Sequence, residues 1–551
     1  MQQKFLTGAL ILAGAGIFCR LLGVAIRIPL THIVGNFGMG IYQMVFPLYA
    51  LLLITSSAGF PVAISRMIAA GENPKRILLN SVILLGLVGA LVTALFMILS
   101  YQIAGAQGNG DVGVIYLAIA PSVFLVCIIS AFRGYFQGLQ NMVPTAISQV
   151  IEQVVKLGVG LGLAFWFAQY SVIWAVFGAI LGVTISEVVA LCYLFLHFLL
   201  SKPQEQNFSQ IPKTAGSSIQ NKEEPRTTKS SKSLAPAISS TRVPKTEGER
   251  FVSLGLMWKI TKASAPVTLM AAIFPLILVL DSMFVINMLV RSGIEHREAT
   301  KLFGISSGAV HTLINLPAML GVAVATAIVP TVSALLKQKK TKELRDKMSD
   351  AVNYTLLISV FFAIFYFAFA KKIIDLLYHS AFAEYPHHLE LARNLLMIES
   401  LVIIFLPISA IFTAMLQGAG KPTKPLIALL VGGAIKIVVQ FSLIGTPVGI
   451  YAVSIGNVLC FAAAFVLNII FGLQEIKIRE NVLKTLPKLI FITGVFTLGT
   501  FALASVLPDN RWWVVLAGAL CTILWVILIA FFKLVRLNKL HPKEVVKHET
   551  I

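Results

Sequence analysis

The sequence predicts an all-α integral membrane protein of about fourteen transmembrane helices: two six-helix lobes related as parallel repeats, plus two C-terminal helices. Three observations carry that expectation. First, the 551 residues are 57% hydrophobic and only 12% charged, with a mean hydropathy of +0.86, whereas soluble proteins average about 25% charged residues. Second, basic residues gather in alternate loops. Third, one block is written twice: Phe132, Gln137-Gly138, Ile147 and Lys156 return 280 positions on as Phe412, Gln417-Gly418, Ile427 and Lys436.

Apolar stretches of about 20 residues, enough to cross a bilayer, recur along almost the whole chain. Those of the first half lie near 5–30, 41–65, 77–103, 113–134, 144–169 and 172–200. The first contains Arg20 and Arg27 and is too long for a signal peptide, so it reads as a retained helix. The second half repeats the count near 256–287, 303–335, 351–370, 391–416, 425–445 and 448–473, and two more stretches follow near 485–507 and 512–534. Prolines at 47, 61, 121, 275, 317, 330 and 407 interrupt several of them, each removing a backbone hydrogen bond and permitting a kink.

The division expected from this pattern is an N-terminal lobe over 1–200, a linker over 201–251, a C-terminal lobe over 252–474 and two extra helices with a basic tail over 475–551. The linker is rich in Ser, Thr, Lys and Pro and nearly free of aromatics, a composition that cannot bury enough apolar surface to fold. Loops with Arg66, Lys75 and Arg76, with Arg133, with Lys337 to Arg345, with Lys421 and Lys424, and the tail beyond Lys533 are basic. The turns Thr31–Gly40, Ala104–Gly113 and Gly445–Gly449 carry no Lys or Arg. By the positive-inside rule both termini are expected in the cytoplasm. Arg291, Arg297 and Lys301, and Lys371 with Lys372, break the pattern on the expected outer side. An even helix number per half makes the repeat parallel, with its axis along the membrane normal.

The net charge of +20 is therefore read as topology, not as a nucleic-acid surface. Cys19, Cys127, Cys192, Cys460 and Cys521 all fall in apolar spans without metal or disulfide spacing, and no cofactor or metal motif is present. No Walker sequence or Gly-x-Ser-x-Gly appears.

Charges at mid-membrane depth cost roughly 2.5–3.5 kcal/mol each on the insertion scale and mark cavities or partners. Arg20 and Arg27 share a face of the first helix, and Glu152 and Lys156 are spaced i,i+4 and can pair. Glu187, Asp281, Glu399 and Lys436 complete the set. Lys436 has Gly432 one turn earlier, so it needs a partner from another helix, Glu399 being one option, or an anionic substrate. Arg20, Arg27, Lys156 and Lys436 are the candidate substrate-binding residues. Arg20 is the deeper arginine, while Arg27 can snorkel to the interface. Arginine's fork of donors suits phosphate. Glu152, Glu187, Asp281 and Glu399 are candidate cavity acids, able to take a coupling proton or cation or simply to pack. His32 and His311 are isolated and read as structural.

Gly59-Phe60-Pro61-Val62-Ala63-Ile64-Ser65-Arg66 and Arg133-Gly134-Tyr135-Phe136-Gln137-Gly138, the latter followed by Met142-Val143-Pro144-Thr145-Ala146-Ile147-Ser148-Gln149, resemble the polysaccharide-biosynthesis branch of the multidrug/oligosaccharidyl-lipid/polysaccharide exporter superfamily. Within it the chain is similar to the Gram-positive group containing stage V sporulation protein B and the MurJ-type lipid II flippases. The resemblance implies a V-shaped pair of lobes and two extra helices forming a groove for a lipid tail. It also implies a flippase of the bacterial cell membrane, functional as a monomer, moving an undecaprenyl-pyrophosphate-linked sugar from inner to outer leaflet by alternating access. The family's first-helix cavity arginine corresponds to Arg20. Where Gram-negative relatives carry an Arg-Asp pair, this chain has Ile26-Arg27-Ile28, and no sodium site can be carried over. Two other readings compete: a cation-coupled multidrug exporter of the same superfamily, and a membrane enzyme acting on lipid-linked sugars, hinted at only by Glu384, His387 and His388.

Overall fold

The computed structural model describes residues 2–201, 251–383, 385–475, 479–508 and 510–532. The expected linker, apart from its two end residues, lies outside the described residues, as do Glu384, Lys477 and the basic tail. The described chain is helical, without a strand. The first half comprises α1 (Gln2–Ala25), α2 (Arg27–Ser57), α3 (Phe60–Ala69), α4 (Pro74–Ile98), α5 (Ser100–Ala106), α6 (Gly113–Gly138), α7 (Val143–Ala168) and α8 (Val172–Leu200). The second comprises α9 (Leu254–Arg291), α10 (His296–Phe303), α11 (His311–Lys337), α12 (Thr341–Phe382), α13 (Pro386–Glu399), α14 (Val402–Gly418), α15 (Thr423–Leu443) and α16 (Tyr451–Glu475). Two peripheral helices, α17 (Arg479–Val506) and α18 (Trp513–Phe531), follow.

Thirteen described stretches are long and apolar enough to cross a membrane. The first, Gly14–Ala69, has 56 residues, far more than the roughly 20 that one crossing needs. It breaks at Gly35, whose φ of 65° is the left-handed region that favours glycine. That stretch therefore supplies two crossings, which brings the count to fourteen. An all-helical chain is what hydrocarbon requires, because a helix satisfies its own backbone polar groups.

The repeated block has a structural counterpart. Helices α6 and α14 end at Gly138 and Gly418; positive φ follows at Gln140 and Gly420; and the next helices start at Val143 and Thr423. Every one of these pairs keeps the 280-residue offset. Gly138 lies against Ile68 of α3, and Gly418 against the Val329 carbonyl and Val332 of α11. A side chain at either position would push these helices apart.

Helix α9 is bound to both halves. At its start Asn80 of α4 donates to the Phe251 carbonyl at 2.8 Å and accepts from the Ser253 amide at 2.8 Å. Further along, Gln107 donates to Ser282 at 3.1 Å and Asn287 to the Ala106 carbonyl at 2.7 Å. At the expected outer end the halves meet backbone to backbone. Gly40 of α2 abuts the Thr300 carbonyl, and Gly304 abuts the Asn36 carbonyl and the Gly40 amide.

The outer loop expected over Lys371–Glu390 is instead mostly helix. Helix α12 continues to Phe382 through kinks at Phe369 and Tyr378, because Ile373, Ile374, Tyr378 and Phe382 form an apolar stripe that is buried. Likewise the expected tenth helix is split between α13 and α14 at Ser400 and Leu401.

Gly182 of α8 packs on the Gly160 backbone of α7, while Gly162 faces open space. Overpacking a tight contact costs about 1–3 kcal/mol. Gly182→Val is expected to lower the melting temperature of the purified protein clearly, and Gly162→Ala to leave it unchanged or slightly raised; differential scanning fluorimetry in detergent checks both.

Candidate functional site

The buried charges resolve into three groups, one of which lines a cavity between the halves. In the first half, Glu152 of α7 accepts from Arg133 of α6 at 3.1 Å and from Lys156 at 3.4 Å. Arg133 also donates to Ser148 at 3.1 Å. The anticipated i,i+4 pair is present, but a second cation from the preceding helix shares the carboxylate. Glu187 of α8 accepts from the Tyr49 hydroxyl at 3.0 Å, and its other oxygen has no hydrogen-bond partner. Of the four candidate acids it has the fewest donors.

In the second half, Lys436 of α15 is 3% exposed and Asp281 of α9 is 7% exposed, and they form a direct ion pair. Gln440, one turn beyond Lys436, donates to the other Asp281 oxygen at 3.1 Å. Lys436 thus takes its partner from another helix, but the partner is Asp281 and not Glu399. A buried ammonium without such a carboxylate is far costlier than either group in water, which explains why both residues are present.

Glu399 is fully buried at the end of α13. Its Oε1 accepts from Ser454 and Asn457, each at 2.9 Å, and its Oε2 lies 3.6 Å from His311 Nδ1. His311 follows directly on a π-helical turn, Gly304–Val310, an irregularity frequent at functional sites. Gln43 of α2 donates to the Ser307 carbonyl within that turn.

These elements enclose a cavity of about 240 Å³ whose wall includes Arg27, Gln43, Asp281, His311, Lys436 and Asn457. Arg27 is half-buried, donates to Thr312 at 3.2 Å and lies 5.4 Å from the Phe46 ring centre. The arginine expected at the interface is therefore the one in the wall. Arg20, expected in the cavity, is exposed on α1 and is not among the lining residues. Ile26, between α1 and α2, keeps helical torsions and the i→i−4 hydrogen bonds on either side, so position along one helical run, not a break, separates the arginine in the wall from the exposed one. Lys156 is not among the residues lining the cavity. His311, read as structural from sequence, lines the cavity. Only its place after the π-turn distinguishes it, and that turn has no clear sequence signal.

Of the residues that hinted at an enzyme, His388 is buried and bonded to Glu298. His387, His388 and Glu298 have ligand atoms within 4.8 Å of one another, but Lys301 also pairs with Glu298 at 3.3 Å and opposes a cation there.

The polysaccharide biosynthesis protein family matches residues 5–216, and the MatE family matches residues 268–442. The chain thus resembles a different one of two families in each half. Stage V sporulation protein B of Bacillus subtilis (strain 168) is 29% identical over 388 residues, 69% of this chain and 68% of that protein. The lipid II flippase MurJ of the same organism is 23% identical over 494 residues, covering 87% of this chain and 83% of that protein. Among solved structures, an inward closed conformation of lipid II flippase MurJ superposes with a TM-score of 0.69 at 11% identity, over 95% of this chain and 98% of that one. An inward-facing multidrug resistance MATE family transporter gives 0.63 at 15%, over 83% and 94%. The protein thus has the two-lobe fold of these transporters, with many helices long and apolar enough to cross a membrane.

Breaking a buried ion pair from one side costs about 3–5 kcal/mol, whereas replacing both partners with apolar groups is often neutral. Asp281→Leu is expected to destabilise the protein severely, and Asp281→Leu combined with Lys436→Met to recover most of the loss. Thermal unfolding of the four-member cycle measures this directly.

Proposed function

We propose that the protein is a flippase of the bacterial cell membrane that carries an undecaprenyl-pyrophosphate-linked oligosaccharide or peptidoglycan precursor from the inner to the outer leaflet by alternating access. The observation that carries the reading is the placement of Arg27 and Lys436, from opposite halves, on one cavity wall. A diphosphate presents two acidic phosphoryl groups, and two cations with amide donors from Gln43 and Asn457 match that chemistry. In this reading Arg20 on the exposed face of α1 and Lys156 beside Glu152 meet the headgroup on its way in. Both termini lie in the cytoplasm, and a single chain suffices.

The empty cavity is nearly neutral where Lys436 meets Asp281. A diphosphate that takes the Lys436 ammonium leaves the Asp281 carboxylate short of a cation, so a proton or metal cation enters with the exchange. Glu152, Glu187 and Glu399 are the further acids available to that coupling. The cavity, about 240 Å³, lies below the roughly 300–1,000 Å³ of sites that hold drug-sized ligands. It therefore accommodates the charged head alone, and a glycan enters only when the lobes part. The backbone contact of Gly40 with Thr300 is the closure that yields on the expected outer side.

A charge-assisted hydrogen bond contributes about 1.5–3 kcal/mol, or roughly tenfold and upward in rate when it is lost at the rate-limiting complex. In a leaflet-exchange assay on reconstituted protein, Arg27→Ala and Lys436→Ala are each expected to slow transfer of a lipid-linked precursor by at least about tenfold. Arg20→Ala should slow it less. Wild-type rates for both Arg27→Ala and Lys436→Ala would remove the site assignment. Transport of soluble cationic dyes in place of a lipid-linked precursor would favour a multidrug exporter.

A further inference from the structure

We propose that a second cavity, about 460 Å³ at the junction of α12, α13 and α17, binds the phosphate of an anionic membrane lipid. It is distinct from the cavity between the halves, sharing none of its lining residues. Its wall carries Lys371 and Lys372 from α12 and Arg393 from α13, closed by Ala504, Ser505 and Leu507 at the end of α17. Lys371 and Lys372 follow immediately on the kink at Phe369, where the apolar run of α12 ends.

The charge at this place needs a reason. Lysines are disfavoured on the outer side by the positive-inside rule, and this pair is one of the two departures from the chain's loop pattern. A lysine that merely snorkels to the interface explains one residue at a time, not three cations from two helices on one wall. Lys372 donates to the Leu507 carbonyl at 3.1 Å, which fixes its head at the end of α17. Lys371 is exposed and, among the described residues, has no hydrogen-bond or ion-pair partner. Of the neighbouring described acids, Glu390 pairs with the pocket's own Arg393, leaving the two lysines uncompensated, and Asp375 pairs with His379 at 2.8 Å. Among the described residues the pocket thus keeps a net positive charge.

Its surroundings identify a lipid as the occupant. The Phe367 and Phe501 rings, 6.0 Å apart, bridge α12 and α17 near the cavity, and Val506 beside it is 80% exposed. A cationic pocket continuing into an exposed apolar seam fits a phosphate head with an attached chain. Cations near an anionic lipid surface are worth about 1 kcal/mol each, roughly a fivefold change in retention.

The test uses the full-length protein in nanodiscs of phosphatidylglycerol or phosphatidylcholine, with retained lipid counted by native mass spectrometry after transfer to detergent. Retention of phosphatidylglycerol is expected to fall about fivefold in Lys371→Gln, which removes no internal contact, and further in Lys371→Gln/Lys372→Gln. Phosphatidylcholine retention should be low and unchanged by either. Equal retention by wild type and Lys371→Gln, or equal retention of the two lipids, overturns the proposal. Displacement of the lipid by excess inorganic phosphate would overturn the lipid as occupant in favour of a free anion. Because the readout is retention, a failure of the flippase reading leaves it intact.

Discussion

The ion pair between Lys436 and Asp281 is the constraint around which the second half is arranged. An ammonium at this depth is tolerated only with a carboxylate in contact. The carboxylate belongs to α9, the helix that Asn80, Gln107 and Asn287 partners also tie to the first half. The pair therefore fixes α15 against the element that crosses between lobes. Whatever draws on Lys436 also acts on that crossing helix.

The two halves answer the same demand in different ways. In the first, Lys156 finds Glu152 one turn away, and Arg133 adds a second cation, so the charge cluster closes within neighbouring helices. In the second, the corresponding turn holds Gly432, which instead lets α15 approach the Cys460 carbonyl of α16. The acid then has to come from α9. The two copies share their helix ends and their lysines, but the lysine's carboxylate comes from its own helix in the first and from α9 in the second.

Much of the fold was legible because hydrocarbon imposes a simple rule. Apolar runs of crossing length and alternating basic loops mark the spans, and Gly35 breaks the first long helix inside the turn that carries no Lys or Arg. The extension of α12 past Lys372 was not legible, since its Ile373, Ile374, Tyr378 and Phe382 stripe follows two lysines that end the hydropathy signal. The site was half legible. Arg27, Asp281, Lys436 and Glu399 stood out as charges in apolar sequence, but His311 did not, because a lone histidine resembles many packed ones.

The sequence alone determined that this chain is a duplicated helical membrane protein with charges in each copy. Composition, period and charge placement are local properties that survive without any three-dimensional information. Only the tertiary structure decided which charges meet. Asp281 and Lys436 lie 155 positions apart, and nothing in either helix specifies the other, since any buried carboxylate would satisfy a buried ammonium equally well. The choice between Asp281 and Glu399, and between Arg20 and Arg27, follows from helix rotation and from depth along each helix, which are settled by packing across the whole bundle.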